Sequence, residues 1–260
     1  MFFYIYDSFL SDKKYEKILN KIETRLVNLG IAGRIVRLSI LKNIEEIIKD
    51  LEEKDATNII IVGEDKTFFK AAKSLAGRRI PLGFIPIKNN SNVARLLGLP
   101  INKLSCDVIS GRLIETVSLG KINEKNFLSF LEMPAEEVIV TCDHQYLIKT
   151  NKLKKIRILN LGLLNFDDFF RENETKKLVA NSKDDRLEII VGNPAKRFLF
   201  LKTEEILDSL FCAKEIEIIN KKRNKKIPII IDGGEIIETP VRVSLSTKKV
   251  RLIVGRDRII

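Results

Sequence analysis

The run Ile59-Ile60-Ile61-Val62 is apolar at every position, and it empties through Gly63-Glu64-Asp65-Lys66-Thr67 into an amphipathic stretch carrying Phe68, Phe69, Ala72 and Leu75. A strand with no polar alternation has to be buried on both faces, as a parallel strand is between two helical layers. The short polar turn then aims backbone N–H groups and the positive end of a helix at one point, the arrangement with which α/β proteins hold phosphate. Gly63, Asp65, Lys66 and Thr67 are therefore candidate phosphate-binding residues. A solvated β–α connection with no ligand explains the same turn, because Asp and Thr are ordinary helix-capping residues and only Gly63 is glycine.

The same texture runs through the first hundred residues. Phe2-Phe3-Tyr4-Ile5-Tyr6 reads as a strand, Asp12 as a helix cap, and Tyr15, Ile18, Leu19, Ile22, Leu26 and Leu29 as one buried helical stripe that Gly30 stops. Arg34 to Leu38 reads as a second strand, and Asn43 and Glu46 have capping-box spacing before Ile47, Ile48 and Leu51. Pro81 to Pro86 supplies a fourth strand. Such a succession implies a parallel sheet with right-handed crossovers.

After about Asp107 short runs separated by turn residues replace the helices. They are Leu113 to Leu119, Phe127 to Leu131, Val138 to Thr141, Tyr146 to Lys149, Ile156 to Leu161, Leu187 to Val191, Glu215 to Ile219, Ile227 to Ile231, Val241 to Leu245 and Val250 to Val254. Asn123, Asp143, Asn151, Asp232-Gly233-Gly234 and Thr247 mark the turns, and only Thr203 to Leu210 reads as helical here. The expected fold class is α/β: a parallel-sheet, nucleotide-binding-like domain over residues 1–118, then an antiparallel β-sandwich domain over 119–260, with a ligand cleft between them.

Apolar residues make up 45% of the chain and charged residues 31%, the balance of a globular protein rather than a disordered one. No run is long enough for an apolar membrane span, and MFFYIYDSF lacks the features of a secretion signal, so a cytoplasmic location is expected. Cys106, Cys142 and Cys212 are an odd number without disulfide or metal spacing and read as buried thiols. The single histidine, His144, sits in a turn-like Asp143-His144-Gln145 with no second histidine to share a metal. A net charge of +11 favours phosphate or an anionic membrane surface as partner. Nucleic acid is not expected, since the basic residues are not interleaved with aromatics. A homodimer through an exposed edge of the second domain is a further expectation.

Together these pieces resemble the diacylglycerol kinase catalytic-domain superfamily, which includes sphingosine kinases and bacterial lipid kinases. The family signature after the third strand is Gly-Gly-Asp-Gly-Thr; here Gly63, Asp65 and Thr67 keep it, while Glu64 and Lys66 replace glycines. A second motif keeps its frame in Pro86, Ala94-Arg95 and Leu97-Gly98-Leu99-Pro100, around an altered turn, Lys88-Asn89-Asn90-Ser91-Asn92. The usual Asn-Pro after the first strand is replaced by Asp7-Ser8-Phe9-Leu10-Ser11. Val117 to Asn123 and Phe127 look like the family's crossing into its second domain, with serine in place of an aspartate. Asp184-Asp185-Arg186-Leu187 resembles a magnesium-holding segment without its glycine, and Asp232-Gly233-Gly234-Glu235 before Thr239-Pro240 resembles the stretch with the catalytic glutamate. Counting back from Pro240 puts Gly234 at the glutamate position, so Glu235 substitutes only if the turn shifts by one residue.

For an active member the resemblance implies ATP and Mg2+ as cofactors, Asp65 and Glu235 as catalytic residues, and Asp65 with Asp184 as metal ligands. Gly63, Asp65, Lys66, Thr67, Lys88, Asn89 and Asn92 would contact the nucleotide. The altered loops instead favour a catalytically weak or inactive relative, one expected to keep a nucleotide or phosphate ligand in the interdomain cleft. A non-glycine residue forced into a left-handed turn costs about 1–2 kcal/mol, so Glu64 and Lys66 either distort the loop or relax it away from phosphate. Glu64 also sets negative charge where a triphosphate would sit, with Lys66 as its offset. An active ATP-dependent kinase for a lipid or other hydroxyl-bearing substrate, and a membrane- or protein-binding regulatory module, are the alternatives.

Overall fold

A computed structural model describes residues 1–39, 43–149, 154–167, 175–180, 185–193, 197–198, 201–202, 206–222 and 225–260. The chain divides into two units, Met1–Val117 with Lys248–Ile259, and Ser118–Thr247 with Ile260.

The first unit opens with β1 (Phe2–Tyr6), two single-turn 3₁₀ segments (Ser8–Ser11 and Lys13–Tyr15) and α1 (Glu16–Asn28). It continues through β2 (Arg34–Arg37), α2 (Ile44–Glu52), β3 (Asn58–Gly63), α3 (Asp65–Ser74), β4 (Leu82–Pro86), α4 (Asn92–Leu97) and α5 (Leu104–Gly111) into β5 (Ile114–Ile122). β2, β1, β3 and β4 lie side by side in that order, all parallel, with Tyr6 opposite Val62 and Gly63 opposite Pro86. Every residue of β3 and β4 is buried, as their unbroken apolar runs require.

Leu19, Ile22 and Leu26 of α1 and Cys106 and Ile109 of α5 pack with Tyr4, Tyr6, Ile60, Val62 and Ile85 on one sheet face. On the other face the Phe68 ring of α3 lies 5.1 Å from that of Phe84, with α2 beside it. Gly30, at φ 69°, ends α1, and Asn43 caps α2 by accepting the Glu45 N–H at 3.2 Å. Asp12 caps the 3₁₀ turn before α1 rather than α1 itself.

The second unit contains β6 (Lys125–Phe127), β7 (Phe130–Pro134), β8 (Val138–Cys142), β9 (Tyr146–Ile148), β10 (Lys155–Leu159), β11 (Gly162–Asp167), β12 (Thr175–Ala180) and β13 (Leu187–Asn193). Then come β14 (Arg197–Phe198), β15 (Leu201–Lys202), β16 (Ile206–Ala213), β17 (Glu215–Asn220), β18 (Pro228–Ile231), β19 (Glu235–Glu238) and β20 (Val241–Ile253). One antiparallel sheet runs β12-β11-β16-β13-β10-β7-β18-β19, antiparallel except where β11 meets β16, and β20, β17, β8 and β9 form the facing layer. Leu131, Ile158, Ile189 and Ile229 from one layer and Val140, Ile218 and Val243 from the other share one core, so this unit is a β-sandwich. The expected fold class is the observed one.

Several local expectations are corrected. Of the helix read at Thr203 to Leu210, residues 203–205 lie outside the described residues, and 206–210 belong to β16, whose backbone is satisfied by an antiparallel ladder with β13. Thr247 is no turn, because β20 runs unbroken from Val241 to Ile253 through an exposed polar middle. Residues 248–259, expected in the sandwich, belong to the first unit: Leu252 pairs in parallel with Leu82, and the N–H groups of Val254, Gly255 and Ile259 reach the carbonyls of Leu113, Leu97 and Leu96. Gly98, at φ 64°, lies so close to Asp257 and Arg258 that a side chain there would strike their backbone. Helix α5 went unread because its apolar stripe is short and mixed with Ser105, Asp107 and Gly111. Cys106 and Cys142 are buried, and burial pushes both thiols up to about 11, but Cys212 is exposed.

Asp232 ties the sandwich together. It is 4% exposed, and its carboxylate accepts the N–H groups of Leu128, Ser129 and Phe130 at 3.0, 2.8 and 3.2 Å. Asp232→Ala strands those donors and is expected to cost about 2–4 kcal/mol in urea unfolding, with Asp232→Asn costing less because it keeps one acceptor.

Candidate functional site

The chain lays β2 on one side of β1 and then returns to lay β3 on the other, so the sheet order reverses between β1 and β3. In open α/β sheets the crevice beyond the carboxyl ends of two such strands is where ligands bind, because the connections leave it in opposite directions. Here Asp7 follows β1, and the Gly63-Glu64 turn follows β3. The two meet directly. Asp7 Oδ2 accepts the Thr67 hydroxyl at 2.8 Å and the Glu64 N–H at 3.2 Å, and the side chain is only 7% exposed. A Cβ on Gly63 would lie 2.5 Å from Asp7 Oδ2 and 2.6 Å from Asp7 Cβ, so this glycine makes room for Asp7.

The loop carries none of the strain weighed from sequence. Glu64 is extended at φ −117°, α3 begins at once with Asp65, and neither Glu64 nor Lys66 is left-handed. Asp65 turns towards the next loop: its carboxylate accepts the Ser91 hydroxyl and the N–H groups of Asn92 and Val93, the last two at 2.8 and 3.2 Å. Ser91 in turn accepts the Ala94 N–H at 2.9 Å. Asp65 and Ser91 together therefore cap α4. The negative charge of Glu64 is met by Lys88, whose Nζ reaches Glu64 Oε2 and lies 5.6 Å from the centre of the Phe9 ring. The hydrogen bond to Glu64 raises the Lys88 ammonium above its ordinary range. Lys66, read as the offset for Glu64, is exposed beside it.

Gly63, Glu64, Asp65, Thr67 and Lys88 thus converge on the switch point. Asn92 is at its margin, where its side-chain oxygen accepts from Arg95 at 3.1 Å, and Asn89 is exposed in the same loop. Glu235 belongs to the other unit, at the start of β19, where it pairs with Lys125. Asp184 lies outside the described residues. Among the described residues no three His, Cys, Asp or Glu side chains gather as a metal site. His144 is an exposed turn residue at φ 55°, 3.5 Å from Glu215. The sequence reading missed the reach of Asp7 and Ser91. The signal for Asp7 was its position as the first polar residue after a fully apolar strand.

A parallel α/β unit with its loops converging at a switch point is followed in the chain by a β-sandwich unit. Residues 2–122 match the family model described as the diacylglycerol kinase catalytic domain. A diacylglycerol kinase of Mycobacterium tuberculosis (strain CDC 1551 / Oshkosh) is 35% identical over 75 residues, a match spanning 28% of this chain and 24% of that protein. The crystal structure of a diacylglycerol kinase from Bacillus anthracis str. Sterne superposes with a TM-score of 0.74 at 18% identity, covering 100% of this chain and 98% of that one. A putative diacylglycerol kinase of the same strain gives 0.72 at 17% identity, covering 99% and 98%. The fold is thus shared along the whole chain. No helix among the described residues is long and apolar enough to cross a membrane.

Burial pushes the Asp7 carboxyl above its usual range, against the opposite pull of the Thr67 hydroxyl and the Glu64 N–H. A carboxyl raised on folding contributes stability that is full below the unfolded-state value and is lost as pH rises through the folded one. Asp7→Asn keeps an oxygen acceptor for both donors and removes the buried charge. It is expected to melt higher than the parent chain at pH 7, with the difference closing as pH falls towards about 4. Thermal unfolding across that pH series checks the sign.

Proposed function

We propose that this protein is a catalytically weak or inactive member of the lipid-kinase family. The observation that carries the reading is that the polar groups of the nucleotide loops are engaged with one another: Thr67 and the Glu64 N–H with Asp7, Asp65 with the start of α4, and Lys88 with Glu64. Phosphoryl transfer rests on positioned positive charge and free donors, since the protein does little covalent chemistry. A triphosphate entering here would meet the carboxylates of Asp7 and Glu64, and Lys88 would have to leave Glu64 to help it. A magnesium ion held by Asp65 would take its oxygens from Ser91, Asn92 and Val93. If ATP and Mg2+ bind, Asp65, Thr67 and Lys88 are the residues of this unit that would hold them.

Glu235 is a side chain placed to act as proton acceptor for a lipid hydroxyl, and Lys125 occupies the Oε1 atom that would take the proton. Incubation with γ-labelled ATP and a lipid extract containing diacylglycerol is expected to give no more labelled lipid than an Asp65→Ala, Thr67→Ala double variant does. Transfer that the double variant abolishes would overturn the reading and make the protein a working ATP-dependent kinase.

A second reading, docking on an anionic bilayer, is supported by α5. Leu104 and Leu113, at either end of it, are 55% and 41% exposed, and each adjoins a cation, Lys103 and Arg112. Apolar side chains beside basic ones suit the headgroup boundary of an anionic membrane. Sedimentation with phosphatidylserine vesicles is expected to retain the protein at low salt and to lose it steeply as ionic strength rises. Equal retention on neutral phosphatidylcholine vesicles would remove this reading.

A further inference from the structure

Resting on the reading of weak or absent catalysis, we infer that Asp7 is an internal anion that occupies the switch-point crevice and excludes phosphate-bearing ligands from it.

The inference follows from three features of the same few ångströms. First, the strand order reverses between β1 and β3, so the crevice beyond Tyr6 and Gly63 is the place where this fold leaves room for a ligand. Second, that room holds a carboxylate that the chain itself supplies, bound as a phosphate oxygen would be, by a backbone N–H and a hydroxyl at the start of α3. Third, the space is shaped for it. Gly63 has no side chain where Asp7 sits, and the Asp7 N–H bonded to the Val62 carbonyl at 2.9 Å fixes the backbone that carries the carboxylate to the end of β3.

Glu64 does not do the same work. It is one-third exposed and its charge is offset by Lys88, so water screens it from an incoming anion. Asp7 is buried and is bonded by a hydroxyl and by backbone N–H groups, and the cation that feels its charge, Lys88, is held in an ion pair by Glu64. A second anion beside it is repelled more strongly in this partly desolvated site than it would be in water. The excluded chemistry is the phosphate group itself, whether carried by a nucleotide or free.

Isothermal titration of the 260-residue chain at pH 7.5 with Mg-ATP, inorganic triphosphate and adenosine tests this. The parent chain is expected to show no binding of either anion at millimolar concentration, and Asp7→Asn is expected to gain affinity for both by about tenfold or more, with adenosine unchanged. Asp7→Glu, which keeps the charge, and Glu64→Gln, which removes an offset one, are expected to gain none. If Asp7→Asn does not fold, Asp7→Ser carries the same test, since it also removes the charge and fits the space.

No gain in a folded Asp7 variant overturns the inference and leaves the proposed function standing. An equal gain in Glu64→Gln also overturns it, by showing that loop charge in general and not Asp7 sets the exclusion. Tight Mg-ATP binding by the parent chain, weakened by Asp65→Ala, overturns the proposed function itself.

Discussion

A parallel sheet that reverses its strand order leaves a gap beyond the carboxyl ends of the two strands at the reversal, open to a ligand, to water or to a side chain of the protein itself. In this protein the gap lies between β1 and β3, and the filler is the Asp7 carboxylate. The conformation of the surrounding loops follows from that choice. Gly63 stays bare to admit Asp7, Glu64 turns its N–H inward, Thr67 offers its hydroxyl, and α3 starts without a glycine-rich approach. With the N-terminus of α3 already met by a negative group, Asp65 is left to face the other way and serve α4. Two neighbouring helices are thus capped by carboxylates borrowed from other segments, a local economy that favours a rigid loop set over an adaptable one.

The family match and the loop chemistry are statements at different levels. Fold similarity to the Bacillus anthracis structures at 17–18% identity records how the backbone runs. What a site can do is decided by a few side chains, and scaffolds of one architecture host many functions and none. In this chain the frame residues Pro86, Gly98 and Pro100 flank a loop in which Ser91 bonds to Asp65 and Asn92 to Arg95.

Much of the first unit was legible from sequence because its signals are local. The apolar runs of β1, β3 and β4 and the stripe of α1 each report burial within a short window. The phosphate-type turn at 63–67 was legible for the same reason. Its partner was not, since Asp7 meets Thr67 across 60 residues of sequence, and only strand order brings them together. Glu64 and Lys66 illustrate the converse: a rule about glycine-rich turns predicts strain, but this backbone keeps Glu64 extended and enters its helix at Asp65, and so avoids it. The second unit was legible as a β-sandwich and less so in detail. The segment 206–213 takes its strand conformation from pairing with β13, a tertiary influence that local propensity does not register. Thr247 is polar because it is exposed, not because the chain turns there.

The path of β20 bears on how the gene can be cut. The first unit is not a contiguous stretch: it is completed by residues 248–259, which bring a parallel strand to β4 and anchor the segment around Gly98. The stretch recognisable as the family's domain, residues 2–122, therefore ends before the strand that closes its sheet. Expressed by itself, it would present the bare side of β4 to solvent as an adhesive edge, whereas a fusion that splices 248–260 directly behind it would restore a neighbour for that strand.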